Sequence, residues 1–174
     1  MENGIFNGVR RGVVPLIVSI LLVGMIPTQC LAESALPKGK DYPTAVYHGK
    51  TAASVDRSDE FTNLFRTRFK QALQNDVVFA GEYAQAEWGC GTSGCHAIAF
   101  INKRTGRALA RSFQAFYVGM DDDPQPIGEE ILYMNKKSRL LVTYETTESS
   151  GSYYNYYLLT GSELKLIRKV PDKN

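Results

Sequence analysis

The sequence predicts an α+β domain in which one amphipathic helix packs on an antiparallel β-meander of about six to eight strands. Three observations carry that expectation. One helical period runs through Phe61, Leu64, Phe65, Phe69, Ala72 and Leu73. Strand-length runs then follow one another from Val77 to Val170, separated by turn signals at intervals of roughly 8 to 12 residues. The second half holds no further helix that could carry a parallel crossover.

The chain opens with Arg10-Arg11, an apolar run from Val13 to Ile26 broken by Pro15 and Gly24, and Cys30-Leu31-Ala32 before Glu33. That is the three-part layout of a secretory signal peptide, with cleavage expected after Ala32. The run is shorter than the about 20 apolar residues a membrane-spanning helix needs. Gln29 stands where a lipoprotein signal carries a small residue before its acylated cysteine. The expectation is a leader over 1–32 and a single domain over 33–174, with no membrane anchor once the leader is cut. A domain of that size can bury a real hydrophobic core.

From Glu33 to Asp56, Pro37, Gly39, Pro43 and Gly49 predict an irregular lead-in draped on the domain, with a short extended piece at Ala45–His48. Ser58 reads as the N-cap of the helix, Asp59 and Glu60 suit its first turn, and Asn75 is a plausible stop. Its phenylalanine-rich stripe reads as the face that packs on the sheet. Strands are expected at Val77–Ala80, Glu82–Trp88, His96–Asn102, Arg107–Tyr117, Ile131–Met134, Leu140–Thr146, Tyr153–Thr160 and Leu164–Val170. Lys103-Arg104-Thr105-Gly106 reads as a tight hairpin turn, and Asp121 to Pro126 as a loop.

Charge excludes some partners. The 20 basic and 18 acidic residues of the whole chain fall to 18 and 17 once Arg10, Arg11 and Glu2 leave with the leader, a balance of +1. Neither nucleic acid nor an anionic membrane surface is suggested by that balance. The same cut removes Cys30 and leaves Cys90 and Cys95, an even pair that an oxidising compartment would bond.

The stretch Trp88-Gly-Cys90-Gly-Thr-Ser-Gly-Cys95-His96 is therefore the centre of the chain. If oxidised, the pair clips a small neutral loop of Gly91, Thr92, Ser93 and Gly94, a candidate partner-binding prong. Closing so short a loop removes chain entropy worth on the order of 2 kcal/mol, so shape matters more here than stability. A stapled connection between adjacent strands is the competing reading. Tyr153 and Tyr154 in the run Tyr153-Tyr-Asn-Tyr-Tyr157 are further candidates for partner contact, because tyrosine buries apolar area while keeping a polar handle.

Catalytic chemistry is poorly represented. Cys90, Cys95 and His96 form only a stretched relative of the haem-attachment motif, and with His48 they lack zinc-knuckle spacing, so neither cofactor nor metal is expected. Two histidines offer few bases, and no serine sits in an elbow context. Asp121 to Asp123 and Glu129-Glu130 read as solvated carboxylates in or beside turns. Lys103, Arg104, Arg107 and Arg111 read as a solvated hairpin tip.

Phe79-Ala-Gly81-Glu-Tyr83, Trp88-Gly-Cys90-Gly-Thr92, Cys95 and the hairpin Ile101 to Gly106 resemble a family of small exported proteobacterial proteins, over about the middle third of the mature chain. That resemblance implies a compartment and an α+β fold, with no reaction attached. More distantly, the order strand, C-x4-C loop, apolar strand and turn is similar to the inhibitor of vertebrate lysozyme family, whose clipped loop enters the muramidase cleft. The departure lies in the loop: that family carries a histidine and charges there, whereas Gly91 to Gly94 is neutral. The expectation is a periplasmic or secreted, non-enzymatic protein that inhibits a cell-wall-directed enzyme, as a lysozyme inhibitor or as immunity protein against a toxin. The alternatives are a structural envelope domain and an enzyme using Cys90 as a thiolate.

Overall fold

The computed structural model describes residues 35–91, 94–118, 125–149 and 151–173. The expected leader over 1–32, the loop residues Asp121 to Asp123, and Thr92 and Ser93 of the clip lie outside them. Seven strands form one sheet in the order of the chain: β1 (Tyr83–Gly89), β2 (His96–Asn102), β3 (Ala108–Val118), β4 (Gln125–Tyr133), β5 (Leu140–Thr147), β6 (Gly151–Thr160) and β7 (Glu163–Pro171). Every neighbouring pair is antiparallel. The molecule is mostly β, and its helical part is smaller than the sequence led us to expect. It consists of α1 (Glu60–Leu64) and α2 (Arg66–Ala72), after a short 3-10 turn at Gly39–Asp41.

The break between α1 and α2 falls at Phe65, whose φ of −105° and ψ of 25° leave the helical region. The bend lets the Phe65 ring stack on Trp88 of β1 with centroids 4.7 Å apart, while Phe69 meets the same indole edge-on. The N-cap is Asp59 rather than Ser58, because Asp59 accepts from the Thr62 amide at 2.8 Å, whereas Ser58 turns its hydroxyl to Asp56. Thr62 is fully buried; its hydroxyl donates to Asp59 and accepts from the Ala108 amide at the start of β3. One side chain thus joins the helix cap to the sheet.

Two apolar clusters occupy the two sides of the sheet. Phe69, Ala72 and Leu73 of the helical part pack with Ala84, Ala86, Ala99, Ile101 and Ala108 of β1 to β3. The alanines let the helix approach closely. The larger cluster, including Phe79, Tyr83, Phe100, Leu109, Phe113, Leu141, Tyr157 and Leu159, lies on the opposite face. In a flat sheet β3 and β6 would stand about 14 Å apart, with two strands between them. Yet the Phe113 and Tyr157 ring centroids are 6.0 Å apart, so the sheet curls around this second core.

Gly128 stands at the inner end of the β3–β4 ladder. β3 pairs with β4 only from Ala115↔Gly128 to Val118↔Gln125. Gly128 adopts φ +119°, and a Cβ there would stand 2.2 Å from the Gln114 carbonyl oxygen. Only glycine fits such an approach in that conformation. Gln125 and Pro126, expected in a loop, belong to β4. Pro126 is tolerated near the beginning of the strand, as proline usually is.

Val77–Ala80 is not a strand. The amides of Val78 and Phe79 both donate forward to the Tyr83 carbonyl, closing a turn in which Ala80 has φ 47°. The lead-in is draped as expected, with no fully buried residue from Ala35 to Lys50, though Ala45–His48 forms no strand. It is held by backbone bonds from Thr44 to Lys137, from Arg139 to Tyr42 and from Tyr47 to Gly81. The Lys103 to Gly106 turn closes as read, with Gly106 at φ +73°.

Candidate functional site

β1 and β2 are in register from Tyr83↔Asn102 to Gly89↔His96. The Cys90 amide donates to the Cys95 carbonyl at 3.1 Å, so the ladder extends one pair beyond the named strands. There Cys90 and Cys95 are disulfide-bonded, with Cα atoms 5.2 Å apart. This separation suits a disulfide between facing strand residues. Both sulfurs are spent in the bond, which leaves no Cys90 thiolate in this form for nucleophilic chemistry.

The clip caps the end of the hairpin. Gly91 and Gly94 are exposed, and nothing lies within 4 Å of where a Gly91 Cβ would stand. Gly94 has φ +66° and rests against the ring of Tyr117, which a Cβ would meet at 2.9 Å. The left-handed φ favours glycine there. Of the expected prong, Gly91 and Gly94 thus stand at the tip, while Thr92 and Ser93 lie outside the described residues.

Around the clip is an apolar rim that the strand pattern alone did not single out. Phe116, Tyr117 and Val118 end β3 beside it, exposed to 38%, 39% and 46%. Three consecutive large apolar residues at a strand end were the available signal, because strand alternation can bury at most one side of such a run. Trp88, two residues before Cys90, closes the other flank on Phe65.

Tyr153 and Tyr154 sit at the same end of the sheet, near the start of β6, on opposite faces. Lys169 lies over the Tyr153 ring at 4.1 Å, and Tyr154 packs on Tyr144 with centroids 5.1 Å apart. Both are half-buried. They belong to the β5–β7 side of the sheet, and the clip to β1–β2.

Inside the curl lies a polar network that sequence reasoning missed. Glu129 is in β4 and largely covered, not solvated beside a turn; its side chain keeps only 15% of its exposure. Its Oε1 accepts from Thr143 Oγ1 at 2.6 Å and from Tyr157 Oη at 2.7 Å, and its Oε2 accepts from Arg111 at 2.7 Å. Arg111 stands in mid-strand on β3, not at the hairpin tip, and also donates to Tyr157 Oη at 2.7 Å. Burial pushes the Glu129 carboxyl up, but the donors from Thr143, Tyr157 and Arg111 outweigh it and hold the group below its ordinary range. Burial and then the Glu129 carboxylate push the Tyr157 phenol well above its own. Asn155 extends the network by donating to Glu129 and to Glu145, which also accepts from Lys169. The signal available was Glu129 and Glu145, which strand alternation places on the same faces as Ile131 and Leu141 of the core.

The other basic residues of the hairpin are internally paired. Arg104 bonds Glu82, Arg107 bonds Asp59 at 2.9 Å, and Lys103 donates to the Asn75 carbonyl at 2.5 Å. Among the described residues, no three of His, Cys, Asp and Glu are grouped as metal ligands.

No protein-family model, curated protein or solved structure matches the chain.

Proposed function

We propose that this chain is an exported, non-enzymatic binding protein that inhibits a cell-wall-directed enzyme by seating the clipped β1–β2 tip in that enzyme's cleft. The observation that carries the reading is the clip itself. A disulfide closes an exposed, glycine-flanked tip, and the tip rises beside Phe116, Tyr117 and Val118. A stiff prong loses little freedom on docking, and an aromatic rim supplies the apolar area that anchors interfaces. The neutrality of the prong favours a cleft that recognises backbone amides and carbonyls over one that recognises charge. Export, which the expected leader and the cysteine pair support, would place the protein beside cell-wall hydrolases and toxins.

The test is inhibition. The chain without residues 1–32 is assayed against muramidase, amidase and peptidase activities on isolated cell walls, beside a variant with Thr92→Arg and Ser93→Glu. Loss of at least one activity with the native chain, and its recovery with the variant, supports the reading. Full activity of every hydrolase, with no hydrolase or toxin retained from periplasmic extract, overturns it and leaves a clip that only staples a hairpin.

A further inference from the structure

The two edges of the sheet differ. β7, at one edge, is bulged at Ile167, between the partners of Tyr156 and Tyr157, and carries Lys165, Lys169 and a terminal Pro171. Bulges, lysines and prolines keep an edge from pairing with another chain. β1, at the other edge, has none of them: its register with β2 is unbroken from Tyr83 to Gly89, and that run holds no lysine, arginine or proline. Its backbone groups alternate in direction. Glu82 accepts from the Lys103 amide and the Cys90 amide donates to Cys95, so the even-numbered residues between them face β2 and the odd-numbered ones face outward. Tyr83 closes its outward groups on Val78 and Phe79, and the Gln85 carbonyl accepts from the Asn75 side chain at 3.3 Å. Glu87 and Gly89 are exposed, and among the described residues nothing bonds the amide or the carbonyl of either. A groove of about 370 Å³ between α2 and this edge, with Asn75, Gln85 and Glu87 in its lining, leaves the edge open.

The geometry points to a second copy of this chain on that edge, β1 against β1, antiparallel about a two-fold axis through Trp88. A self-paired edge has few registers, and charge and free backbone groups choose among them. Centred on Glu87, the joint would oppose two carboxylates directly. Centred on Ala86, it would need the occupied Gln85 carbonyl and leave Gly89 against the closed Tyr83. Centred on Gly89, it would need Gly91, whose φ of +141° is no strand conformation. Centred on Trp88, Glu87 of each copy faces Gly89 of the other, and their free amides and carbonyls satisfy one another with none left over. The two Glu87 carboxylates are then staggered, not opposed. Trp88 meets Trp88 of the second copy at a non-hydrogen-bonded position, where Cα atoms stand about 4.5 Å apart and side chains come closest. The indole is half-buried and backed by Phe65, so the joint covers aromatic surface that one copy leaves open. β2, β3 and the rim from Phe116 to Val118 lie on the far side of β1, so the pairing goes beyond the function proposed above and does not depend on it.

The chain without residues 1–32 is followed by sedimentation velocity from low micromolar to near-millimolar concentration, beside Glu87→Pro. Proline suits an edge position whose amide points outward, so this variant removes a donor from the joint and none from inside the chain. The native chain should pass from monomer to dimer and no further, because the symmetry closes. Glu87→Pro should need about tenfold more protein to pair, the effect of one lost backbone bond in each half of the joint. The paired indoles should give an exciton couplet in circular dichroism that fades on dilution and is missing from Trp88→Phe. Amide exchange on the native chain decides the matter even if a variant does not fold: the Glu87 and Gly89 amides should slow about tenfold where nine-tenths of the chain is paired. A monomer throughout, a dimer whose Glu87 and Gly89 amides exchange as fast as in dilute solution, or a dimer without the couplet overturns the proposal. No hydrolase enters these measurements, so they stand or fall apart from inhibition.

Discussion

The Tyr157 hydroxyl on β6 donates to the Glu129 carboxylate on β4 at 2.7 Å, reaching over β5, and at the same oxygen it accepts from Arg111 of β3. Three strands that a flat sheet would hold apart are joined at one phenol. Replacing Glu129 by Gln should cost about 1–3 kcal/mol, because the buried Tyr157 hydroxyl and the partly exposed Arg111 lose their charged acceptor. Urea unfolding should show the midpoint fall with an unchanged slope. An unaltered midpoint would mean that the network is ornamental to stability.

Stability should also bend with pH on both sides. The folded-state pKa of Glu129 is depressed below its ordinary 4.5, so its contribution is complete above that value and is lost as pH falls through the folded pKa. Tyr157 is raised above its ordinary 10.0, so its contribution is complete below that value and is lost as pH climbs toward the folded pKa. Melting curves should flatten in acid for Glu129→Gln and in alkali for Tyr157→Phe. Equal slopes in native and variant chains would contradict the assignment.

Thr62→Val is close to isosteric yet should be costly. It leaves the Ala108 amide without its acceptor in a fully buried place and frees one oxygen of the Asp59 cap. A loss of about 1–3 kcal/mol is expected. Asp59→Ala, at the same junction, should cost about 1–2 kcal/mol through the cap and the Arg107 contact. Chemical denaturation of both, and of the double variant, should show less than additive losses because the two side chains share one bond.

Gly128→Ala should be far worse than its size suggests. The added methyl would meet backbone at 2.2 Å with φ at +119°, and no side-chain movement relieves a clash with a carbonyl oxygen. We expect β4 to lose its pairing with β3, seen as loss of amide protection at Ala115 to Val118. Persistence of that protection would show that the strand can shift.

Replacing Cys90 and Cys95 together by Ser should leave the sheet folded, at a cost of about 2 kcal/mol by loop entropy. Circular dichroism and a single unfolding transition would confirm it. Under the proposed function the same variant should inhibit far less while remaining folded.

The sheet was legible in the chain because its turns are written in glycine, asparagine and lysine, and because β2, β5, β6 and β7 alternate or run apolar within a residue or two of their observed limits. The helix was legible in its stripe but not in its break, since Phe65 leaves the helical conformation to reach Trp88, a residue 23 positions later. No local pattern reports such a contact. The same limit hid Glu129. A carboxylate in β4 looks solvated until Arg111, Thr143 and Tyr157 arrive from three other strands. The clip was readable as a pair of cysteines, whereas its rim at Phe116 to Val118 needed the hairpins to be folded side by side.

The bend at Phe65 has an optical consequence. The chain carries a single tryptophan, sandwiched by that bend against a phenylalanine ring and placed two residues from an oxidised sulfur pair. Disulfides quench indole emission at close range, so the native fluorescence should be dim and should brighten when the bond is opened. The molecule thus reports the state of its own tip, and anything that seats there can be followed with no label attached.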